Sequence, residues 1–316
     1  YIEEYGIAQN SMNLTNISIT PFHVAFDEVF KRAEARGVRV SGSELVGLIP
    51  LKAMLDAGRY FLRKQKRSVG VSDRELIKIA VKSMGLDDLY PFKPEEKIIE
   101  YMIANDTAAS LADMSVREFM EETASESPAP GGGSVSALMG SLGAALGTMV
   151  ANLSSHKRGW DDRWEEFSDW ANRGKALQEE LLALVDEDTQ AFNRIMEAFS
   201  LPKNSEDEQS HRKAAIEEAT SNAILVPHRI MQVAASALEV LRAMAESGNP
   251  NSVSDAGVGA LSIRSAVLGA FLNVKINAGN LEDKFFTENI LKEGRELEAS
   301  VRRTEAEVLE MVDSWL

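Results

Sequence analysis

The sequence predicts a mostly α-helical protein: an antiparallel helical bundle preceded by a partial α+β domain. Three observations carry this. After residue 115 the apolar residues recur almost without relief at a period near 3.6, the spacing of an amphipathic helix. Gly and Pro punctuate those segments at Pro128–Gly133, Leu201-Pro202-Lys203-Asn204 and Gly248-Asn249-Pro250. The charge also changes character: residues 1–103 hold 15 basic and 14 acidic side chains, and 104–316 hold 19 and 35. The organisation expected is residues 1–103 as the partial α+β domain, 104–111 as a linker and 112–316 as the helical domain. A chain of 316 residues is long enough for two cores. It opens at Tyr1 with neither Met nor a basic-plus-apolar leader, so it reads as a piece of something longer.

In the first part, Thr20-Pro21 supplies a cap and a proline start for a helix with Phe22, Phe26, Val29, Phe30 and Ala33 on one face. Gly37 ends it, and Val38-Arg39-Val40-Ser41 alternates like a short strand. A second helix is expected from about Pro50 to Lys66, and a third begins at the capping box Ser72-x-x-Glu75. The second part reads as helices near 115–123, 133–155, 160–199, 205–247, 254–279 and 281–315.

Residues 131–155 carry no charge, a length sufficient to span a bilayer. They are dominated by Gly, Ala and Ser, with small residues four apart in Gly140–Ala144–Thr148 and Gly143–Gly147–Ala151. Small side chains let helices approach closely, so the segment is read as a central bundle helix or a subunit interface rather than a membrane span. The net charge of −15 argues against nucleic acid and anionic lipid as partners. With no cysteine there is no disulfide, zinc-thiolate site, iron–sulfur cluster or thiol nucleophile, and a cytoplasmic setting is expected.

Three features bear on chemistry. Gly131-Gly132-Gly133-Ser134 opens a helix, where free backbone N–H groups favour an anion or a polar ring edge. No Gly-Lys-Ser/Thr follows, so it is not a Walker loop, and a sharp entry into a tightly packed helix explains the glycines equally well. The stripe Leu177, Leu181, Leu184, Asp188, Phe192, Ile195 and Phe199 places the Asp188 carboxylate on the interior face, with Asp186 and Glu187 rotated away. Desolvation there raises a carboxyl pKa toward the range of a general acid or base; the alternative is a structural carboxylate satisfied by a neighbouring Ser, Asn or Arg. Asn273 and Asn277 lie four apart on a small-residue stripe, as readers of a heterocycle edge or as polar ties between helices. No metal site is expected, because Glu208-x-x-His211 supplies one half of a di-iron pattern that needs two.

The order of motifs resembles the formimidoyltransferase-cyclodeaminase family of histidine degradation. Asn13-Leu14-Thr15, the run Gly42–Ala53 and the run Pro91–Tyr101 resemble the end of the formimidoyltransferase half. Ala129–Ser134, Leu201–Asn204 and Asn273-Val274-x-Ile276-Asn277 resemble the cyclodeaminase half. The resemblance implies a helical domain that is at least a dimer and converts 5-formimidoyltetrahydrofolate to 5,10-methenyltetrahydrofolate and ammonia. Tetrahydrofolate, polyglutamated, would be the substrate carrier, with no metal. The family's Asp-x-Asp-x-x-Ala-Phe segment is Asp186–Phe192 here, which puts the catalytic carboxylate on Asp188. By position, Gly131, Gly132, Gly133, Ser134, Asn273 and Asn277 would frame the folate, and Lys157 and Arg158 would hold its glutamate tail. The full-length parent would also be a glutamate formimidoyltransferase, but the catalytic His of that half is not in this sequence and no transfer is expected of the chain. Two alternatives remain: a methenyltetrahydrofolate cyclohydrolase, and a non-catalytic folate-docking or oligomerisation module.

Overall fold

A computed structural model describes residues 2–3, 6–104 and 110–316. The chain divides into two compact units, Tyr1–Thr107 and Ala108–Leu316. Most of the stretch 104–111 expected to be a linker lies outside the described residues.

The first unit contains α1 (Phe22–Glu34), α2 (Leu51–Lys64), α3 (Asp73–Met84), α4 (Pro94–Lys97) and α5 (Ile99–Ala104). Pro21 is the residue before α1, one position later than the cap expected at Thr20. Ser72 caps α3 by accepting the Glu75 N–H, and Gly85 ends it with a left-handed φ of 60°. The core gathers Met54, Ala57, Leu76, Met84 and Ile98, all essentially inaccessible. The segment 38–41 forms no strand. Among the described residues the only bridges are Ile2–Ile7 and Ile49–Ile98, so the alternating residues at 38–41 have no partner strand to pair with.

The second unit is the bundle. It contains α6 (Val116–Thr123), α7 (Gly132–Ser155), α8 (Trp164–Ser200), α9 (Glu206–Ser247), α10 (Val253–Ala278) and α11 (Lys284–Asp313). Ser115–Glu118 and Ser205–Glu208 both close full capping boxes. α8 starts after a 3-10 turn, Asp161–Arg163, which explains its later start than the pattern suggested.

The small-residue helix α7 is central, packing on α8, α9 and α10. Each glycine serves a different neighbour. A Cβ added at Gly140 would stand 3.1 Å from the Leu181 side chain of α8. At Gly143 it would stand 2.9 Å from the Gly259 carbonyl of α10, and at Gly147 3.2 Å from Leu241 of α9. Absent side chains bring these backbones together, and Ala137, Ala144, Leu181, Leu241 and Ile263 fill the remaining space. By length and composition α7, α9 and the segment Pro250–Ala278 are apolar enough to cross a membrane. In the bundle, between 50% and 67% of the most apolar stretch of each is buried against its neighbours.

Candidate functional site

Two carboxylates of the Asp-x-Asp segment point to different surroundings. Asp186 accepts hydrogen bonds from the Ser110 hydroxyl (2.6 Å), the Leu111 N–H (2.7 Å) and the Ala112 N–H (3.4 Å). It caps the 3-10 turn Leu111–Asp113 and ties that segment to α8. This charge is fully engaged in structure.

Asp188, two residues on, is half-buried against the first turn of α7. The Ser134 hydroxyl donates to its Oδ2 at 3.1 Å, and the Ser134 Oγ also lies 3.1 Å from Thr189 Oγ1. Burial pushes the Asp188 carboxyl above the usual carboxylate range, opposed by hydrogen bonds from the Ser134 hydroxyl and backbone N–H. The positive end of the α7 dipole faces the same carboxylate. A carboxyl whose pKa is raised by burial and which is held by a hydroxyl is suited to accept and return a proton.

The glycines of the turn make room for polar side chains of this chain. A Cβ on Gly133 would overlap the Asp188 carboxylate, and one on Gly132 would stand 3.3 Å from Asn273 Nδ2. Gly131 has open space, with only the Pro128 carbonyl at 3.9 Å. Asn273 donates its amide to the Gly269 carbonyl of its own helix at 3.0 Å. The structure thus brings Gly132, Gly133, Ser134, Asp188 and Asn273 together from three helices.

Other residues singled out in the sequence stand elsewhere or do other work. Ser134 is fully buried and engaged with Asp188 and Thr189, so it presents no face to a ligand. Asn277 donates its amide to the Ala223 carbonyl of α9 at 2.8 Å. That carbonyl is four residues before Pro227, which lies inside α9 and has no N–H to give it. Asn277 replaces the missing helical hydrogen bond and is a polar tie, the second of the two readings its spacing allowed.

Lys157 and Arg158 follow the other end of α7, about 35 Å along the helix from Gly131. Lys157 Nζ lies 4.1 Å from the centre of the Trp160 ring, which stacks on Phe167. Arg158 is exposed. Within one chain these two cations are not brought to Asp188.

Glu208 accepts from the Asn204 and Ser205 N–H groups in its capping box, and His211 is exposed. No three His, Asp or Glu side chains converge as a metal set among the described residues. His228, buried on α9, has its Nε2 3.4 Å from Glu293 of α11, and burial draws its pKa down. A groove of about 640 Å³ between α8 and α9, bordered by Arg194, Ala219 and Asn222, includes none of the Asp188 cluster. Sequence reasoning missed Thr189; its direct succession to Asp188 was the available signal.

Comparisons with known proteins agree on one family. Residues 115–296 match the family Formiminotransferase-cyclodeaminase, and residues 1–104 match Formiminotransferase domain. The formimidoyltransferase-cyclodeaminase of Mus musculus is 37% identical over 289 residues, covering 91% of this chain and 53% of the mouse protein. The chain therefore spans about half the length of that relative. A methenyltetrahydrofolate cyclohydrolase of Methylorubrum extorquens is 35% identical over 199 residues, covering 63% of this chain and 96% of its own. The crystal structure of formiminotetrahydrofolate cyclodeaminase from Thermotoga maritima superposes with a TM-score of 0.58 at 29% identity, covering 65% of this chain and 98% of that one. With the motifs, the helical bundle and these matches in agreement, the chain belongs to the formiminotransferase-cyclodeaminase family.

Proposed function

We propose that the helical domain, residues 112–316, is a formimidoyltetrahydrofolate cyclodeaminase in which Asp188 moves the proton. The observation that carries the reading is a half-buried carboxylate with a raised pKa, set against a Gly-rich helix start and an asparagine. The chemistry requires such a group. N10 of the folate attacks the carbon of the protonated formimidoyl group on N5, forming a C–N bond and a tetrahedral intermediate. Asp188, ionised, takes the proton from N10. It then delivers that proton to the amino group on the same carbon, so that the C–N bond breaks with ammonia as the leaving group. One proton is relayed and none is consumed.

Gly131 and Asn273 are the proposed folate contacts, because the first has open space beside it and the second stands at the helix start. Tetrahydrofolate is the substrate carrier, and no metal takes part in this scheme. An assembly of at least two copies through α7 and α10 is also proposed. Leu142 and Leu153 on α7 and Leu272 and Ile276 on α10 are 56%, 46%, 65% and 69% exposed, apolar side chains that a second copy would cover. The organisation proposed with it is a formimidoyltransferase portion over 1–103, a linker over 104–111, and a cytoplasmic setting.

The test is a paired assay with 5-formimidoyltetrahydrofolate, following methenylfolate absorbance and released ammonia together. Equal rises that collapse in Asp188→Asn support the reading. The similarity to a cyclohydrolase over almost its full length favours one second reading, in which water attacks the bridging carbon of methenylfolate. Hydrolysis of added methenylfolate without any deamination would move the assignment there.

A further inference from the structure

We infer that Thr189 and Ser134 are positioning residues that form a hydroxyl chain on Asp188, with Thr189 donating to Ser134 and Ser134 donating to the carboxylate. The hydrogen count requires this direction. Ser134 Oγ stands 3.1 Å from both Asp188 Oδ2 and Thr189 Oγ1, yet a serine hydroxyl has one proton. A hydrogen bond to an ionised oxygen is the stronger of the two, so the Ser134 proton goes to Asp188. The contact with Thr189 then forms only if Thr189 is the donor.

Ser134 is fully buried, so water has no access to replace it. Ser134 stands at the third residue of α7, which fixes its hydroxyl against the carboxylate that Gly133 lets in. Thr189, on α8, is held by the same helix as Asp188, so the two donors and the acceptor span one helix contact. Each hydroxyl in the chain polarises the next, which strengthens the final bond to the carboxylate.

The work assigned to the chain is to keep Asp188 ionised and aimed in a place where burial opposes ionisation. Burial and the two Ser134 hydrogen bonds account for the displacement of the carboxyl, and no charged side chain of α7, α9, α10 or α11 contributes to it. On its own helix, Asp186 is turned to Ser110 and Leu111, and Glu187 is exposed. Against that burial, the hydroxyl chain is what lowers the pH at which Asp188 serves as a base, alongside the Ser134 backbone N–H. This rests on the cyclodeaminase reading for the reaction, but not for the titration.

The test uses the full chain and the variants Thr189→Val, Thr189→Ser and Ser134→Ala. Infrared difference spectra against Asp188→Asn follow the Asp188 carboxyl as pH is varied, and the pH profile of kcat is recorded with 5-formimidoyltetrahydrofolate. Ser134→Ala should raise both the titration midpoint and the acid limb of kcat by about one pH unit or more. Thr189→Val should raise them by about half a unit, in a folded protein of almost unchanged shape, and Thr189→Ser should restore them. A Thr189→Val protein whose midpoint and acid limb stay within about 0.2 unit of wild type overturns the chain. A wild type with no deamination, but with the expected infrared shifts, would defeat the cyclodeaminase reading and leave the chain standing. If Ser134→Ala fails to fold, the isosteric Thr189→Val and its Ser counterpart decide alone.

Discussion

The two ends of α7 are built on opposite plans. At its start, small residues admit polar groups: Gly133 gives way to the Asp188 carboxylate and Gly132 to the Asn273 amide. At its finish, the space is closed by aromatic rings. Trp160 stacks on Phe167 with centroids 5.4 Å apart, Lys157 covers the Trp160 ring, and the Arg163 guanidinium lies 4.5 Å from the Phe167 centre. There Lys157 lies over a ring face, and Arg163 pairs with Glu166 at 2.9 and 3.0 Å while also covering Phe167. One end keeps a charge under tension; the other relieves its charges. Within one chain, then, 24 residues of helix separate the basic loop from the glycine turn, and sequence proximity to the motif does not bring the two together.

That contrast can be broken experimentally, beginning with its strongest point. Asp188→Asn should lower kcat for deamination by about 10²- to 10⁴-fold with little change in KM, in steady-state assays. Gly133→Ala comes next. Its methyl group overlaps the carboxylate, so Asp188 must move, and kcat should fall about 10²-fold. The double variant Lys157→Ala/Arg158→Ala should leave kcat/KM for a monoglutamate substrate within about twofold of wild type, while costing about 0.5–1 kcal/mol in denaturant unfolding from the lost ring contact.

The smallest effect concerns stability. Burial raises the folded-state pKa of Asp188 above its unfolded value, so the folded chain binds that proton first as pH falls. Above the folded pKa the charged carboxylate counts against the fold; the disadvantage shrinks as pH falls through the folded pKa and is gone below the unfolded value. Asp188→Asn should therefore have a Tm equal to or above wild type at pH 8, with the gap narrowing toward pH 4. A Tm clearly below wild type at pH 8 would show that the charge contributes to holding α7 on α8.

Much of this was legible in the amino-acid order. The apolar stripe from Leu177 to Ile195 placed Asp188 on the partly buried side of α8, although its last member, Phe199, is 51% exposed, and the small-residue spacing of 140–151 pointed to a central bundle helix or a subunit interface, because both readings depend only on helical period. The function of Asp186 was not legible, since its partners Ser110 and Leu111 lie some 75 residues away and no local pattern announces them. The glycines of the turn illustrate a subtler limit. Composition showed that something must come close to the backbone at 132 and 133, but not that it would be this chain's own Asn273 and Asp188. Residues 38–41 show the converse: alternation without a pairing partner is not a strand.

The tie from Asn277 to the carbonyl stranded by Pro227 makes two positions 50 residues apart interdependent. Losing the amide alone abandons a buried acceptor, so Asn277→Ala should destabilise the bundle by about 1–3 kcal/mol. In a Pro227→Ala background the helix supplies its own donor, and the same change should be nearly silent. The order of change therefore matters: Pro227 can be replaced first and Asn277 afterwards, whereas the reverse order passes through a stranded carbonyl. The proline and the asparagine thus act as a single structural unit, written in two places.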